Sequence, residues 1–281
     1  MSQSSAYLDE LGQPRLRTSI VAFVDVLGFS NMSTASVGLD EAQRTLTMVA
    51  AAIKDSRDFV RKTFAQDAPD VGNGLSVKFF SDNLALGCPC DTSENDSRAA
   101  VRFVLRCAQR YQLRMVLNGF FVRGAMSIGL ICLTDEIIFG SALVECYQGE
   151  SKAAIVPRVL LSESLWKVVS ESLRVDADAF GSVERDLVCR DIDGWWFVNY
   201  LQAAHEADGI NWSLIERHKQ SILESLSHAT RHDVLPKFGW ACRYHNVFCH
   251  WHREAAGYSD RYRIERIDEQ STICRLSDLN S

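Results

Sequence analysis

The sequence has no apolar run long enough to cross a bilayer or to form the core of a secretory leader: Met1 to Arg17 is polar, and the stretch Ile20 to Val26 is short and carries Asp25. The expected location is the cytoplasm, with no membrane span. Positive charge is not in surplus either. Against 36 Asp and Glu stand 30 Lys and Arg, a formal net charge of -6, so no overall basic field exists to hold a nucleic acid or an anionic membrane. Nucleic-acid binding is not expected, and a nucleotide-sized anion needs local cations. Repeats, low-complexity tracts and long linkers are also lacking. The nine cysteines are odd in number and form no CxxC: Cys88-Pro-Cys90 is one residue short, and the group His245, Cys249, His250 and His252 has no second pair at zinc spacing. They read as reduced core residues, as Cys107, Cys132 and Cys146 inside apolar runs do. What is there, 47% apolar and 10% aromatic residues in a chain of 281, makes an ordinary globular protein of one large domain or two small ones.

Thr18 to Val26 (TSIVAFVDV) is β-branched and apolar without helical period, a buried strand with Asp25 at its end and Gly28 just beyond. From Leu39 the residues Ala42, Leu46, Val49, Ile53 and Val60 recur at helical spacing to about Phe64, before Pro69 and Gly72-Asn73-Gly74. Leu75 to Ser81 and Leu84 to Gly87 form a hairpin with Asp82-Asn83 at its tip. Ser97 to Leu117 is helical, Phe120 to Gly129 is a strand, and Ile131 to Phe139 is a strand that pairs back. Ser141 to Ala154 is a helix, and Ile155 to Leu161 is a strand whose Pro157 points to an edge or a bulge. This order suits an α+β fold, a largely antiparallel sheet with helices on one face. Past Ser162 the signal weakens: Arg190 to Leu201 reads as a strand, Ser213 to Arg231 and Leu235 to His252 as helices. Trp195, Trp196, Trp240 and the Tyr244 to His252 segment read as core and interface packing.

Two acidic residues stand out by position. Asp25 ends a buried strand, and Asp82 occupies a hairpin tip that can lie beside it. Each alone is ordinary turn chemistry. Together, two bare carboxylates about 4 Å apart repel by about 4 kcal/mol at an effective dielectric of about 20, so such a pair invites divalent cations, the apparatus of displacement at phosphorus.

The sequences around these residues resemble a family. FVDVLGF (Phe23 to Phe29) is similar to the FxDxxGF segment of class III nucleotidyl cyclases, and KFFSDN (Lys78 to Asn83) to their KxxGD hairpin with Ser81 in place of the glycine. VRGAMSIG (Val122 to Gly129) resembles the strand that follows in those cyclases, and FGSALVECYQGES (Phe139 to Ser151) their GxxVNxAxRxE helix. With VPRV (Val156 to Val159), the combination looks closest to the bacterial Pycsar pyrimidine cyclases. The resemblance covers Thr18 to Leu161 and implies a ferredoxin-like, palm-type catalytic domain over 18–161. An N-terminal polar segment (1–17) precedes it, and a C-terminal extension (162–281) packs on the cyclase core or a dimer interface.

The resemblance implies two divalent cations, Mn2+ or Mg2+, on Asp25, Asp82 and the Val26 backbone carbonyl. They would serve attack of a ribose 3′-hydroxyl on the α-phosphorus of a nucleoside triphosphate, giving a 3′,5′-cyclic nucleotide and pyrophosphate. It also implies a homodimer with shared active sites, and a product that acts as a second messenger in antiphage defence through a separate cyclic-nucleotide-binding effector. The sequence departs from the pattern where Val144 and Gln148 replace the family's transition-state Asn and Arg. Arg123 and Lys152 are the candidate catalytic cations in their stead.

Lys78, Phe29 and Tyr147 are the candidate substrate-binding residues. The Lys78 ammonium is a donor only, so it suits O4 of uracil and opposes the amine of cytosine, which favours a uridylate cyclase making cyclic UMP. The alternatives are a cytidylate cyclase, an adenylate or guanylate cyclase, and a catalytically degenerate nucleotide-binding domain.

Overall fold

The Thr18 to Val26 run becomes the strand around which the rest is arranged. In the computed structural model, which describes residues 6–29, 38–67, 74–80, 82–90, 94–175, 186–228, 235–265 and 273–275, strand β1 (Arg17–Val26) is flanked on both sides by antiparallel partners, β3 (Asn83–Pro89) and β4 (Val122–Leu133). Beyond β3 lies β2 (Ser76–Phe80), the outermost strand on that side. On the other side β4 pairs in parallel with β6 (Val159–Leu161), and β8 (Trp196–Val198), β7 (Val188–Arg190) and β11 (Cys274–Arg275) follow in antiparallel order. The short β5 (Ile138–Phe139) pairs back on β4, and β9 (His205–Glu206) and β10 (Gly209–Ile210) form a separate two-stranded ladder. The fold is α+β with a largely antiparallel sheet. Its single parallel pair requires a crossover, which α3 (Ser141–Lys152) supplies.

Alternation along β1 divides the core. Ile20, Ala22, Val24 and Val26 point to one face, where they pack with Val49 and Ala52 of α1 (Leu39–Asp67) and with Val104, Tyr111 and Met115 of α2 (Glu94–Leu117). Val21 and Phe23 point to the other, against Ala142 and Cys146 of α3 and the buried Tyr7. The expectation of helices on one face describes the two long helices, and α3 adds cover to the opposite face. There Gly140, at φ +152°, starts the helix where a Cβ would lie 2.2 Å from the Leu130 carbonyl oxygen. Gly149 lets the helix approach β4 so closely that a Cβ would lie 2.7 Å from that of Ala125.

Several expected boundaries move. Asn83 is not at the hairpin tip: it pairs with Phe80 and already belongs to β3. Ile131 to Leu133 continues β4, leaving only Ile138 and Phe139 to pair back. Pro157 precedes β6, so an interior strand keeps its ladder despite the proline. The expected strand over Arg190 to Leu201 is the β7–β8 hairpin followed by a 3-10 turn (Tyr200–Ala204), with Asp193 and Gly194 in its bend.

The sheet crosses the boundary expected at Leu161 without a break, since β7, β8 and β11 all lie beyond it. Helix α4 (Glu163–Val175) covers the α1–α2 face of these strands through Leu165 and Val169. On the opposite face α5 (Trp212–His228) and α6 (Leu235–Trp251) bury Ile215, Ile222, Trp240, Tyr244 and Phe248 against Leu160 and Phe197. Between the two helices sits a pair of fully buried histidines. His245 Nε2 donates to the Tyr262 carbonyl at 2.7 Å; since a carbonyl only accepts, His245 Nδ1 receives the proton of His218 Nδ1 at 2.9 Å, and His218 Nε2 accepts from the Tyr200 hydroxyl at 2.8 Å. The chain closes with both rings neutral. Eight described cysteines, Cys88, Cys90, Cys107, Cys132, Cys146, Cys189, Cys242 and Cys249, are buried and in no disulfide.

Candidate active site

The antiparallel register of β1 with β4 sets Asp25 opposite Arg123, and its register with β3 sets Asp25 opposite Asn83, the residue after Asp82. Asp25 therefore stands where the strand meets the hairpin turn, close enough to Asp82 for that carboxyl to act on its own. Arg123 reaches Asp25 Oδ2 from Nε and Nη2, both at 3.4 Å. Its Nη2 also lies 2.8 Å from Oε1 of Glu150, an ion pair whose angle falls short of a hydrogen bond and leaves that buried oxygen without a donor among the described residues. Asp25 and Glu150 thus share one guanidinium, with Asp82 close by.

Burial raises the Asp25 carboxyl to about 7, helped by the hydrogen bond and charge of Asp82 and the charge of Glu150, and opposed by Arg123. Glu150 is also pushed up, by burial first and by the Asp82 charge, against the pull of Arg123. Such a cluster is short of positive charge.

Hard oxygen donors held together against their own repulsion fit magnesium or manganese. Leu27 N–H donates to the Phe121 carbonyl, which continues the β1–β4 ladder. The alternation of that ladder turns the Val26 backbone the other way, towards the hairpin side on which Asp82 lies. Among the described residues no group of three or more Asp, Glu, His or Cys is arranged as a complete metal site, so the donor set offered is two carboxylates and a backbone oxygen.

The helix α3 presents two faces to two destinations. Ala142, Cys146 and Glu150, four residues apart, are buried towards the chain's own sheet. Val144, Gln148 and Lys152, also four apart and rotated to the far side, are exposed, as is Tyr147 at 57%. Tyr147 rests edge-on against Phe23, with ring centroids 6.1 Å apart. Phe29 packs on the core beneath α1 and α2. Lys78, on the outermost strand, has its ammonium bonded to the Thr134 carbonyl at 3.0 Å and to that of Asp135. Of the expected site residues, the structure gathers Asp25, Asp82 and Arg123, places Val26 beside them, and leaves Lys78, Phe29, Tyr147 and Lys152 in separate surroundings.

Glu150 was not singled out in the sequence. Its signal was there: it continues the small, buried stripe of Ala142 and Cys146 by one helical turn, and a carboxylate in such a stripe needs a partner.

No protein-family model matches the chain, and no curated protein matches its sequence. Among solved structures, it is similar to the adenylyl cyclase CyaB from P. aeruginosa, with 11% identity over 66% of this chain and 94% of that one at a TM-score of 0.46. A class III adenylyl cyclase-like ATP-binding protein from Pseudomonas aeruginosa shares 12% identity over 58% of this chain and 38% of its own, at a TM-score of 0.41. At those values the likeness carries no residue's role across.

No helix among the described residues is long and apolar enough to cross a membrane.

Proposed function

We propose that the protein is a pyrimidine nucleotide cyclase that converts UTP to 3′,5′-cyclic UMP and pyrophosphate. The observation that carries this reading is the strand register that sets Asp25 opposite Asn83, beside Asp82, with Arg123 and Glu150 against it, where burial and the Asp82 charge push the Asp25 carboxyl up. Repulsion of that kind is retained where a cation is to be bound.

Asp25, Asp82 and the Val26 carbonyl hold two divalent cations, Mn2+ or Mg2+. Such ions, when bound, make the 3′-hydroxyl a better nucleophile and neutralise the triphosphate. Arg123, anchored by Glu150, offsets the carboxylates beside the α-phosphate position. Lys78 exchanges its two carbonyl partners for O4 of uracil, an acceptor of the same kind.

The active form is a homodimer with shared sites. The exposed row Val144, Gln148 and Lys152 faces away from its own Asp25, and Phe139, Tyr147 and Ile155 add apolar surface nearby, each more than half exposed. A two-fold contact through this surface brings each Lys152 to the partner's phosphates and makes two equivalent sites. Cyclic UMP then acts as a second messenger of antiphage defence, through a separate effector that binds it.

The test is incubation of the purified chain with each of the four ribonucleoside triphosphates and manganese, followed by separation of products. Cyclic UMP in excess of the other cyclic nucleotides supports the reading. Cyclic CMP as the main product moves the choice of pyrimidine, a cyclic purine moves the substrate class, and no product from any of the four leaves a nucleotide-binding domain without turnover.

A further inference from the structure

On the face of the sheet opposite Asp25, the strands beyond β4 form a second, unrelated recess. The pairing of Leu160 with Phe197 and of Trp196 with Arg190 sets Leu161, Trp196 and Arg190 side by side across β6, β8 and β7, on the face that also carries Val159 and Val198. The first turns of α4 wall one side with Glu163 and with Trp166, whose ring stacks on Trp196 at 3.7 Å and 14°. The β7–β8 bend walls the other with Trp195, which is 40% exposed. The cavity between them holds about 400 Å³.

The bend is fixed from beneath. Arg158, 2% exposed, pairs with both Asp191 and Asp193. Trp240 Nε1 donates to Asp191 Oδ2 at 2.7 Å, and the Trp195 N–H donates to Asp193 Oδ1 at 3.2 Å. A buried, doubly paired arginine under a surface turn keeps the recess in shape with nothing in it. The charges at the rim are the remaining clue. Among the described residues Arg190 donates from Nε alone, to the Gly194 carbonyl at 3.3 Å, and its terminal N–H groups are offered to an anion. Glu163 is exposed and accepts hydrogen bonds only.

We infer that this recess binds a nucleotide: the base lies against the indoles, its N–H edge meets Glu163, and its phosphate meets Arg190. Indole faces take any flat heteroaromatic ring, a guanidinium fork matches phosphate oxygens, and the volume suits a mononucleotide. The site shares no residue with the Asp25 cluster and stands whether or not the chain is a cyclase. It is a second place where a nucleotide is read without being consumed.

The experiment is a titration of the full chain with UMP, CMP, AMP and GMP, and with the matching nucleosides, in EDTA so that no divalent ion assists the Asp25 site. Tryptophan emission and equilibrium dialysis report binding. Expected is one saturable site per chain. Arg190→Ser should weaken monophosphates about tenfold and nucleosides little, as loss of one charge-assisted contact does. Trp195→Ala should weaken both, and Asp25→Ala neither. Both recess residues are exposed enough that circular dichroism should match the parent. No binding by the parent chain up to millimolar ligand overturns the inference, as does binding that survives both recess variants. Equal affinity for nucleoside and monophosphate also overturns it.

Discussion

Two groups of titratable side chains lie on the face of the sheet away from α1 and α2, and they have opposite accounts. At His218 and His245 every donor meets an acceptor and neither ring carries charge. At the other group Asp25 and Glu150 share the Arg123 guanidinium with Asp82 close by, and a buried Glu150 oxygen has no donor among the described residues. The first arrangement is what packing alone produces, a polar group admitted to the core only when satisfied. The second costs folding free energy, as groups of shifted carboxyls at functional sites do.

The comparison breaks most visibly at Asp25. Asp25→Ala and Asp82→Ala should each abolish cyclic nucleotide formation, a loss of a thousandfold or more on the order expected for a metal ligand. Both should raise the thermal midpoint of the metal-free chain, with a gain of about 1 to 3 kcal/mol for relieving desolvation and repulsion. Turnover assays paired with melting curves decide it; a variant that is both active and less stable would place the cluster with the histidines.

At the other group the signs reverse. His245→Ala leaves a cavity and an unpaired His218 and should cost about 2 to 4 kcal/mol in urea unfolding, while specific activity per folded molecule stays within about twofold. Activity lost without loss of stability would give the pair a functional role.

Acid sharpens the contrast further. Burial lowers both histidines, His245 to about 4, with the His245 charge acting on His218 and the Lys219 charge on His245. Since the folded values lie below the unfolded value of about 6.5, the neutral rings belong to the folded state. Their contribution is complete above about 6.5 and is lost as the pH falls from there towards 4, by about 1.4 kcal/mol per unit for each ring that must stay neutral. Urea midpoints measured between pH 7.5 and 4.5 should show that slope in the parent and a shallower one in His245→Ala.

Lys78 is the intermediate case, satisfied by carbonyls as the histidines are yet half-exposed as a binding group would be. Lys78→Met should lower UTP turnover by roughly ten to a hundredfold at subsaturating substrate and narrow the ratio of UTP to CTP rates. An unchanged ratio puts Lys78 with the structural groups.

The order of the first seven elements could be read from periodicity and turn residues, and so could the meeting of Asp25 with Asp82, because a strand and the next hairpin are neighbours in space. The burial of Glu150 was legible in its stripe with Ala142 and Cys146, but its contact with Arg123 was not, since that depends on α3 crossing to the second face. The bend at Asp193-Gly194 was written as a turn signal, but the apolar Trp195 to Leu201 run hid it within one longer strand. His218 and His245 come from different helices and meet only through tertiary packing, which no local pattern encodes.

The strand β2 closes one end of the sheet, and its outer row of backbone donors and acceptors is a template for any other extended chain. Its sequence, Ser76-Val77-Lys78-Phe79-Phe80, is rich in β-forming residues and holds a single charge. That charge is a gatekeeper against self-association. Replacing it by methionine removes the repulsion as well as the donor, so the Lys78→Met chain will need light scattering beside its kinetics, and Lys78→Glu, which keeps a charge on the strand but cannot donate, becomes the variant that tells a lost base contact from a sticky edge.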